Sequence, residues 1–260
     1  DAAMMVPAKV AELLAPWVGD VPHTIVRSAT YRFHGLVAEQ WQVGQVFLAG
    51  DAAHQTPPFF GQGMCHGLRD VANLAWKMAA IVQEGAHPDI LATYQPERDP
   101  HVRAVIGAAV AAGRYICELD PAKAAARDAE MVARAAAQAG QRQTAHDLIP
   151  PIATGLLATG TPGAGERFIQ PVLADGRKLD EATGDGWRLF AHGAPCVPAG
   201  VAAVALETLA DAGAVAGWLA DRGGEAVLVR PDHYVFGTGH PAALIAARAA
   251  ALGLAQEELA

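Results

Sequence analysis

Residues 46–77 read VFLAGDAAHQTPPFFGQGMCHGLRDVANLAWK. The run from Val46 to Ala49 is continuously apolar and ends on Gly50-Asp51, the pattern expected of a strand buried on both faces. A loop from His54 to Gly61 with Pro57-Pro58 and Phe59-Phe60 follows. Helical periodicity then starts at Met64: Met64, Leu68, Val71, Ala75, Met78 and Val82 recur at helical spacing, and Gly85 is the expected stop. Such an order suits an anion or a cofactor. A carboxylate at a strand's C-terminal edge accepts hydrogen bonds from cofactor hydroxyls. Glycines such as Gly61 and Gly63 let backbone amides approach a ligand, and the helix start adds free N–H groups and the positive end of its dipole. Glycine spacing alone does not separate this reading from an ordinary turn with a capping Asp and no ligand.

Working outward, residues 10–17 suggest a brief helix bounded by Pro16 and Gly19. Residues 24–33, TIVRSATYRF, are β-branched and aromatic with partial alternation, as in a half-buried strand. Beyond the central stretch, helices are expected around 89–94 and 101–117, separated by Pro96 and Pro100. Residues 121–146 are alanine-dominated with interspersed charge, which favours a long exposed connecting helix. Pro150-Pro151 and the Gly/Thr/Pro cluster at 154–165 mark a domain boundary. The remaining chain has strands at 187–190, 226–229 and 234–236, helices at 214–220 and 241–252, and an apolar segment of open state at 201–209. Strands alternating with helices, then a hairpin and a last helix, suggest a small α/β domain of thioredoxin type.

Composition narrows the function classes. With 52% apolar and 18% charged residues this is ordinary globular material. A net charge of −8 argues against a nucleic-acid partner. No apolar run approaches the ~20 residues needed to span a bilayer, and the N-terminal residues lack signal-peptide character. The three cysteines, Cys65, Cys117 and Cys196, form neither a disulfide framework nor a metal-ligand pattern, so a reducing cytoplasm is the natural setting and no metal site is expected.

The stretch 46–77 closely resembles the second FAD-binding motif of the flavoprotein aromatic hydroxylases, the group of p-hydroxybenzoate and phenol hydroxylases. It looks most like the 3-(3-hydroxyphenyl)propionate hydroxylases and related polyketide hydroxylases. The flanking TYRFHGLVAEQWQVG at 30–44 and YQPER at 94–98 agree with that likeness. The resemblance implies an α/β fold: the C-terminal part of an FAD/NAD(P)-binding, Rossmann-like hydroxylase domain over 1–118, a helical connector over 119–152, and a thioredoxin-like domain over 153–260. It implies that Asp51 binds the ribityl chain of FAD, and that Gly61, Gln62, Gly63 and Met64 present amides to the flavin's pyrimidine edge. Pro57 and Pro58 would line the ring and substrate side, with Phe59 as a further substrate contact. Many relatives have Asn where this chain has Cys65, which can hydrogen-bond the flavin only weakly. The chemistry implied is reduction of FAD by NAD(P)H, reaction with O₂ and transfer of an OH group to a phenolic ring. The cofactor carries that chemistry, so no catalytic side chain is assigned.

Other residues have plainer readings beside functional ones. His54 fits a structural role holding the loop better than a base, and His66 a minor structural role. His34 and Tyr31 suit strand packing as well as substrate contact, and Arg69-Asp70 suits a packing or surface ion pair. Cys65 is expected as a buried, inert thiol. Cys196 has no second cysteine in a Cys-x-x-Cys pair, so the thioredoxin-like domain is expected to be redox-inert and to serve packing or dimer contacts. No Gly-x-Gly-x-x-Gly turn for the ADP pyrophosphate follows a strand here. The expectation is therefore a C-terminal portion of the enzyme. Its partners would be a phenolic substrate, O₂, and either further copies or an N-terminal part. The alternative is a non-catalytic fragment or oligomerisation module of a split or truncated flavoprotein.

Overall fold

The computed structural model describes residues 2–137 and 149–254. By compactness the chain divides into residues 1–34 and 35–260. In the first unit a 3-10 turn, Ala2–Met5, precedes helix α1, Pro7–Val18, which carries Pro16 inside it. The strand expected at 24–33 is not formed: these residues have no helix or strand, and Val26 and Tyr31 are 94% and 66% exposed. β-branched composition favours a strand only where a neighbouring strand completes its ladder, and no described strand does so here.

The second unit begins with short antiparallel pairings. Strand β1, Leu36–Val37, pairs with β4, His54–Gln55; β2, Gln42–Val43, pairs with β3, Val46–Phe47. The strand expected at 46–49 is thus a two-residue arm of a hairpin, with Val46 68% exposed. Helix α2 spans Gly63–Ala79 and continues through a π turn, Ala80–Glu84, to the left-handed Gly85. A 3-10 turn, Pro88–Thr93, runs into helix α3, Tyr94–Ile116. Pro96 and Pro100 do not separate helices as expected, because Pro96 lies in the first turn of α3 and Pro100 within it. At Pro96 the missing amide is one that the first turn does not use, while Pro100 lies within α3 without ending it. Helix α4, Pro121–Ala137, has no buried residue; the rest of the helix expected to His146 lies outside the described residues.

After helix α5, Leu179–Thr183, a four-stranded sheet forms. Its strands are β5, Trp187–Ala191; β6, Val201–Ala205; β7, Ala226–Val229; and β8, Val235–Gly239, in the order β6-β5-β7-β8. β5 and β6 are parallel, while β7 is antiparallel to both β5 and β8. Helix α6, Gly213–Ala220, and helix α7, Pro241–Leu252, are the last two described helices.

Successive residues of a strand face opposite ways, so the wholly buried β5 and β7 supply two cores. Trp187, Leu189, Leu228 and Phe236 pack with Leu244 and Ile245 of α7 and with Trp76, Ala80 and Ile90 from the α2 region. Phe190, Val227 and Val235 pack on the other side with Trp218 of α6 and with Phe168 and Leu179. A third core joins Trp41, Ala53, Leu74, Tyr94, Val102 and Ile106. The architecture is mixed helix and sheet, and the C-terminal half of α2 is built into one face of the sheet.

α2 lies with the opposite face inward from the one its apolar spacing suggests. Met64, Leu68, Val71, Ala75, Met78 and Val82 are all exposed, and the buried face carries His66, Asp70, Asn73, Leu74, Trp76 and Lys77. His66, Asp70, Asn73 and Lys77 also recur at helical spacing, and each has a polar or charged neighbour to meet. Buried polar groups are tolerated where they are hydrogen-bonded and paired.

Candidate flavin-binding wall

Gly50–Ala52 is a 3-10 turn, and Gly50 sits at φ +58°, a backbone angle that favours glycine. The turn packs against α2: a Cβ built on Gly67 would lie 3.3 Å from the Cα of Gly50. What fixes it there is Asp70, which is fully buried. Its Oδ2 accepts the Gly50 amide at 3.1 Å and meets His54 Nε2 at 2.6 Å, and its Oδ1 accepts Arg98 Nε at 2.9 Å. Burial works against the Asp70 carboxylate, but the His54 hydrogen bond and the Arg98 charge prevail and hold its pKa below the ordinary value. His54 is therefore the loop-holding residue, and Asp70 is a buried hub.

Around this hub the imidazoles of His54, His66 and His101 stack edge to face, with ring centres 5.7 and 5.5 Å apart. Burial, with Arg98 next in effect, lowers His66 to about 4 and His101 to about 3, so both are neutral at pH 7. His101 Nδ1 lies 2.8 Å from Arg98 Nη1.

The residues expected to face a ligand sit on the rim of this framework. Asp51 and Pro58 are exposed, Pro57 is buried, and Phe59, Gln62, Gly63 and Cys65 are half-buried. Cys65 is thus more open than the buried thiol expected. Phe59 is spoken for structurally: its ring fills the space a Cβ at Gly113 would take, 2.2 Å away, which docks the loop into a notch of α3. At the start of α2 the N-cap Gln62 makes no side-chain cap, and no acidic residue occupies the first turn. The first amide with a carbonyl partner belongs to His66, bonded to Gln62 O at 2.9 Å. Those of Gly63, Met64 and Cys65 stand free, as helix geometry requires, and Met64 is 77% exposed. A Cβ at Gly61 or Gly63 would meet no atom within 4 Å, so neither glycine is there to relieve crowding within the chain. Free amides, a positive dipole end and a nearby exposed carboxylate can receive a carbonyl-rich or anionic ring edge together with hydroxyl groups.

A second buried network lies farther along α2. Glu97 Oε2 accepts Lys77 Nζ at 3.0 Å, Arg230 Nη2 at 2.6 Å and Asn73 Nδ2 at 2.7 Å. Asp232 accepts Arg230 Nε at 3.0 Å and Asn73 Nδ2 at 3.0 Å. All four charged side chains are at most 1% exposed, and two cations balance two carboxylates. Burial opposes ionisation of Glu97, but Arg230 and Lys77 outweigh it and bring its pKa down to about 2. The segment at 154–165, expected as a boundary, seals this network: Leu156 N donates to Glu97 Oε1 at 2.8 Å, and a Cβ at Gly155 would strike that oxygen. Sequence reading missed Asn73, Lys77, Glu97, Arg98, Arg230 and Asp232. The signal available was the helical spacing of polar residues along α2, with YQPER supplying two of their partners.

Residues 9–109 match the family described as FAD binding domain. The chain is 36% identical to a "Probable NADH-specific resorcinol 4-hydroxylase" of Rhodococcus jostii, over 96% of this chain and 49% of that protein. It is 38% identical to a 3-(3-hydroxy-phenyl)propionate/3-hydroxycinnamic acid hydroxylase of Burkholderia vietnamiensis, over 72% of this chain and 38% of that protein. It therefore spans half or less of the length of these relatives. Among solved structures, the OxyS anhydrotetracycline hydroxylase from Streptomyces rimosus superposes with a TM-score of 0.65 at 29% identity, over 85% of this chain and 47% of that one. Aklavinone-11 hydroxylase with FAD and aklavinone, at 24% identity, shares the fold with a TM-score of 0.69 over 97% of this chain and 52% of its own. Among the described residues, no helix is long and apolar enough to cross a membrane.

Proposed function

We propose that this chain, a relative of the FAD-dependent aromatic hydroxylases, forms one wall of the flavin site in a monooxygenase that hydroxylates a phenolic substrate resembling 3-(3-hydroxyphenyl)propionate. The observation that carries this reading is the cluster of free amides at Gly63, Met64 and Cys65 beside a Gly50-Asp51 turn that Asp70 locks in place. These residues fit the group: amides and helix dipole suit the pyrimidine edge of a flavin, and Asp51 suits the ribityl hydroxyls. Bound FAD supplies the redox chemistry, in which NAD(P)H reduces the ring and O₂ is activated to deliver one oxygen to the phenol.

The chain's own part is positional. Asp70, His54 and Arg98 keep the turn and the helix start in register, so the amides need no rearrangement when a ligand arrives. Gln62 and Met64 edge the amide cluster, and Pro57 and Pro58 wall the substrate side. Cys65 replaces a stronger hydrogen-bonding side chain, which leaves ring anchoring to the backbone. The sheet order β6-β5-β7-β8 supports reading 153–260 as a thioredoxin-like domain, following a flavin-binding part over 1–118 and a connector over 119–152. Cys196, the one cysteine in that domain, is exposed and without a resolving partner, so the domain serves packing or oligomer contacts in a cytoplasmic enzyme.

The test is FAD binding followed by turnover. Flavin absorbance and fluorescence should register FAD on protein carrying this chain, and Asp51→Ala should weaken it at least ~10-fold while the far-UV spectrum stays unchanged. A phenolic acid should then stimulate NAD(P)H oxidation and yield a hydroxylated product by mass spectrometry. FAD binding without phenol-stimulated oxidation would favour the second reading, a non-catalytic oligomerisation module. Stoichiometric FAD with turnover on the 260-residue chain alone would show that it needs no further part.

A further inference from the structure

A cavity of about 370 Å³ opens between the second and third turns of α2 and the C-terminal sheet. None of its lining residues belongs to the Gly50–Cys65 segment. Three arginines line it: Arg69 from α2, Arg167 from the strand-like segment beside Tyr234, and Arg188 from β5. Arg188 is 2% exposed, yet forms no ion pair with a described residue. Its Nη2 meets only a neutral acceptor, Nδ1 of His233 at 3.0 Å, and its Nε has no hydrogen-bond partner. Asp180 and Asp185 are the carboxylates it senses, and both act at a distance. Arg69 Nη1 and the Tyr234 hydroxyl, also buried, lack partners too. Asp232, the carboxylate lining the cavity, is committed to Arg230 and Asn73.

A guanidinium withdrawn from water without a counter-charge is costly, and Arg167 lies near enough to Arg69 for the two charges to repel. An anion relieves both effects. Leu68, Ala72, Phe168, Ile169 and Leu179 give the wall an apolar part beside its polar groups, so the ligand should carry an apolar body behind its charged head. The volume falls within the ~300–1,000 Å³ common for small-molecule sites. We propose that this cleft binds a small organic acid, its carboxylate held by Arg69, Arg167 and Arg188 and its body by Leu68, Phe168 and Leu179.

Calorimetric titration of the 260-residue chain with benzoate, its neutral isostere benzamide and inorganic phosphate tests this. Benzoate should bind at least ~10-fold more tightly than benzamide or phosphate, since a charge-assisted bidentate contact is lost in one and the apolar contact in the other. Arg188→Gln should weaken benzoate at least ~10-fold. Arg69→Gln, on a half-exposed helix face and so safe for folding, should do likewise. Asp51→Ala should leave benzoate binding unchanged, which separates this cleft from the flavin wall. Equal affinity for benzoate and benzamide, or unchanged affinity in both arginine variants, overturns the site. Phosphate binding as tightly as benzoate overturns the organic-acid assignment, and loss of binding in Asp51→Ala assigns the acid to the flavin side instead.

Discussion

At the scale of single residues, the histidines around Asp70 make a pH argument. In the unfolded chain an imidazole takes up a proton near pH 6.5, whereas folded His66 resists until about 4 and His101 until about 3. Between those values the unfolded state binds more protons, so stability falls as pH falls from about 6.5, by up to ~1.4 kcal/mol per pH unit for each imidazole. Glu97, with a folded pKa of about 2, is charged in both states until its unfolded range near 4.5 and adds its loss only below that. Thermal melts from pH 7.5 to 4.5 should show the melting temperature dropping from about pH 6.5 onward. His101→Asn should make that slope shallower across the whole window from pH 6.5 to 4.5. A melting temperature constant down to pH 4.5 would mean that these imidazoles are not neutral and buried. None of this was legible from His66 or His101 alone, because a histidine's pKa is set by the elements that enclose it and not by its neighbours in sequence.

At the scale of elements, α2 separates periodicity from orientation. Its apolar stripe and its polar stripe both repeat at helical spacing, and hydrophobic burial alone favours turning Met64, Leu68, Val71 and Val82 inward. The polar stripe is buried because Asp70, Asn73 and Lys77 each meet a complementary group supplied from far along the chain, Arg98, Glu97 and Asp232 among them. Such pairing is invisible in a local window. The helices and strands of the C-terminal part were legible for the opposite reason: β5, α6, β7, β8 and α7 are short apolar segments cut by Gly, Pro and Asp, each meaning the same thing locally as it does in the fold. Urea unfolding gives a direct comparison. Arg230→Met leaves Lys77 as the one buried cation for Glu97 and Asp232, so one carboxylate is uncompensated and the protein should be destabilised by about 3–5 kcal/mol. Val71→Lys or Val82→Lys, on the outward apolar stripe, should change stability by less than about 0.5 kcal/mol. The reverse order would mean that the apolar stripe is the buried one.

At the scale of the whole molecule, sequence punctuation and packing divide the chain differently. Pro150-Pro151 and the turns at 154–165 look like a seam, but their residues lie against Glu97 and Phe236: Leu156 N reaches the carboxylate, and Ala158 N donates to Phe236 O at 2.8 Å. One core takes Trp76, Ala80 and Ile90 from one side of that seam and Trp187, Leu228 and Phe236 from the other. Arg248 of α7 pairs with Glu84, and His87 N donates to Leu252 O at 2.8 Å, so the last helix is also tied to the end of the α2 region. Two domains joined by a linker would melt separately, each with its own core. A shared core and a buried neutral network of four charges instead couple the parts, since exposing either half leaves unpaired charge and apolar surface on the other. Among the described residues all three cores lie within residues 35–260, so a chain beginning at Gly35 keeps the groups named in this coupling. Calorimetry on that chain should give a single transition whose calorimetric and van't Hoff enthalpies agree. Arg230→Met, by cutting the network, should broaden it toward two. Two resolved transitions in the unmutated chain would show that the seam at 150–165 governs unfolding after all, and that the shared core contributes little cooperativity.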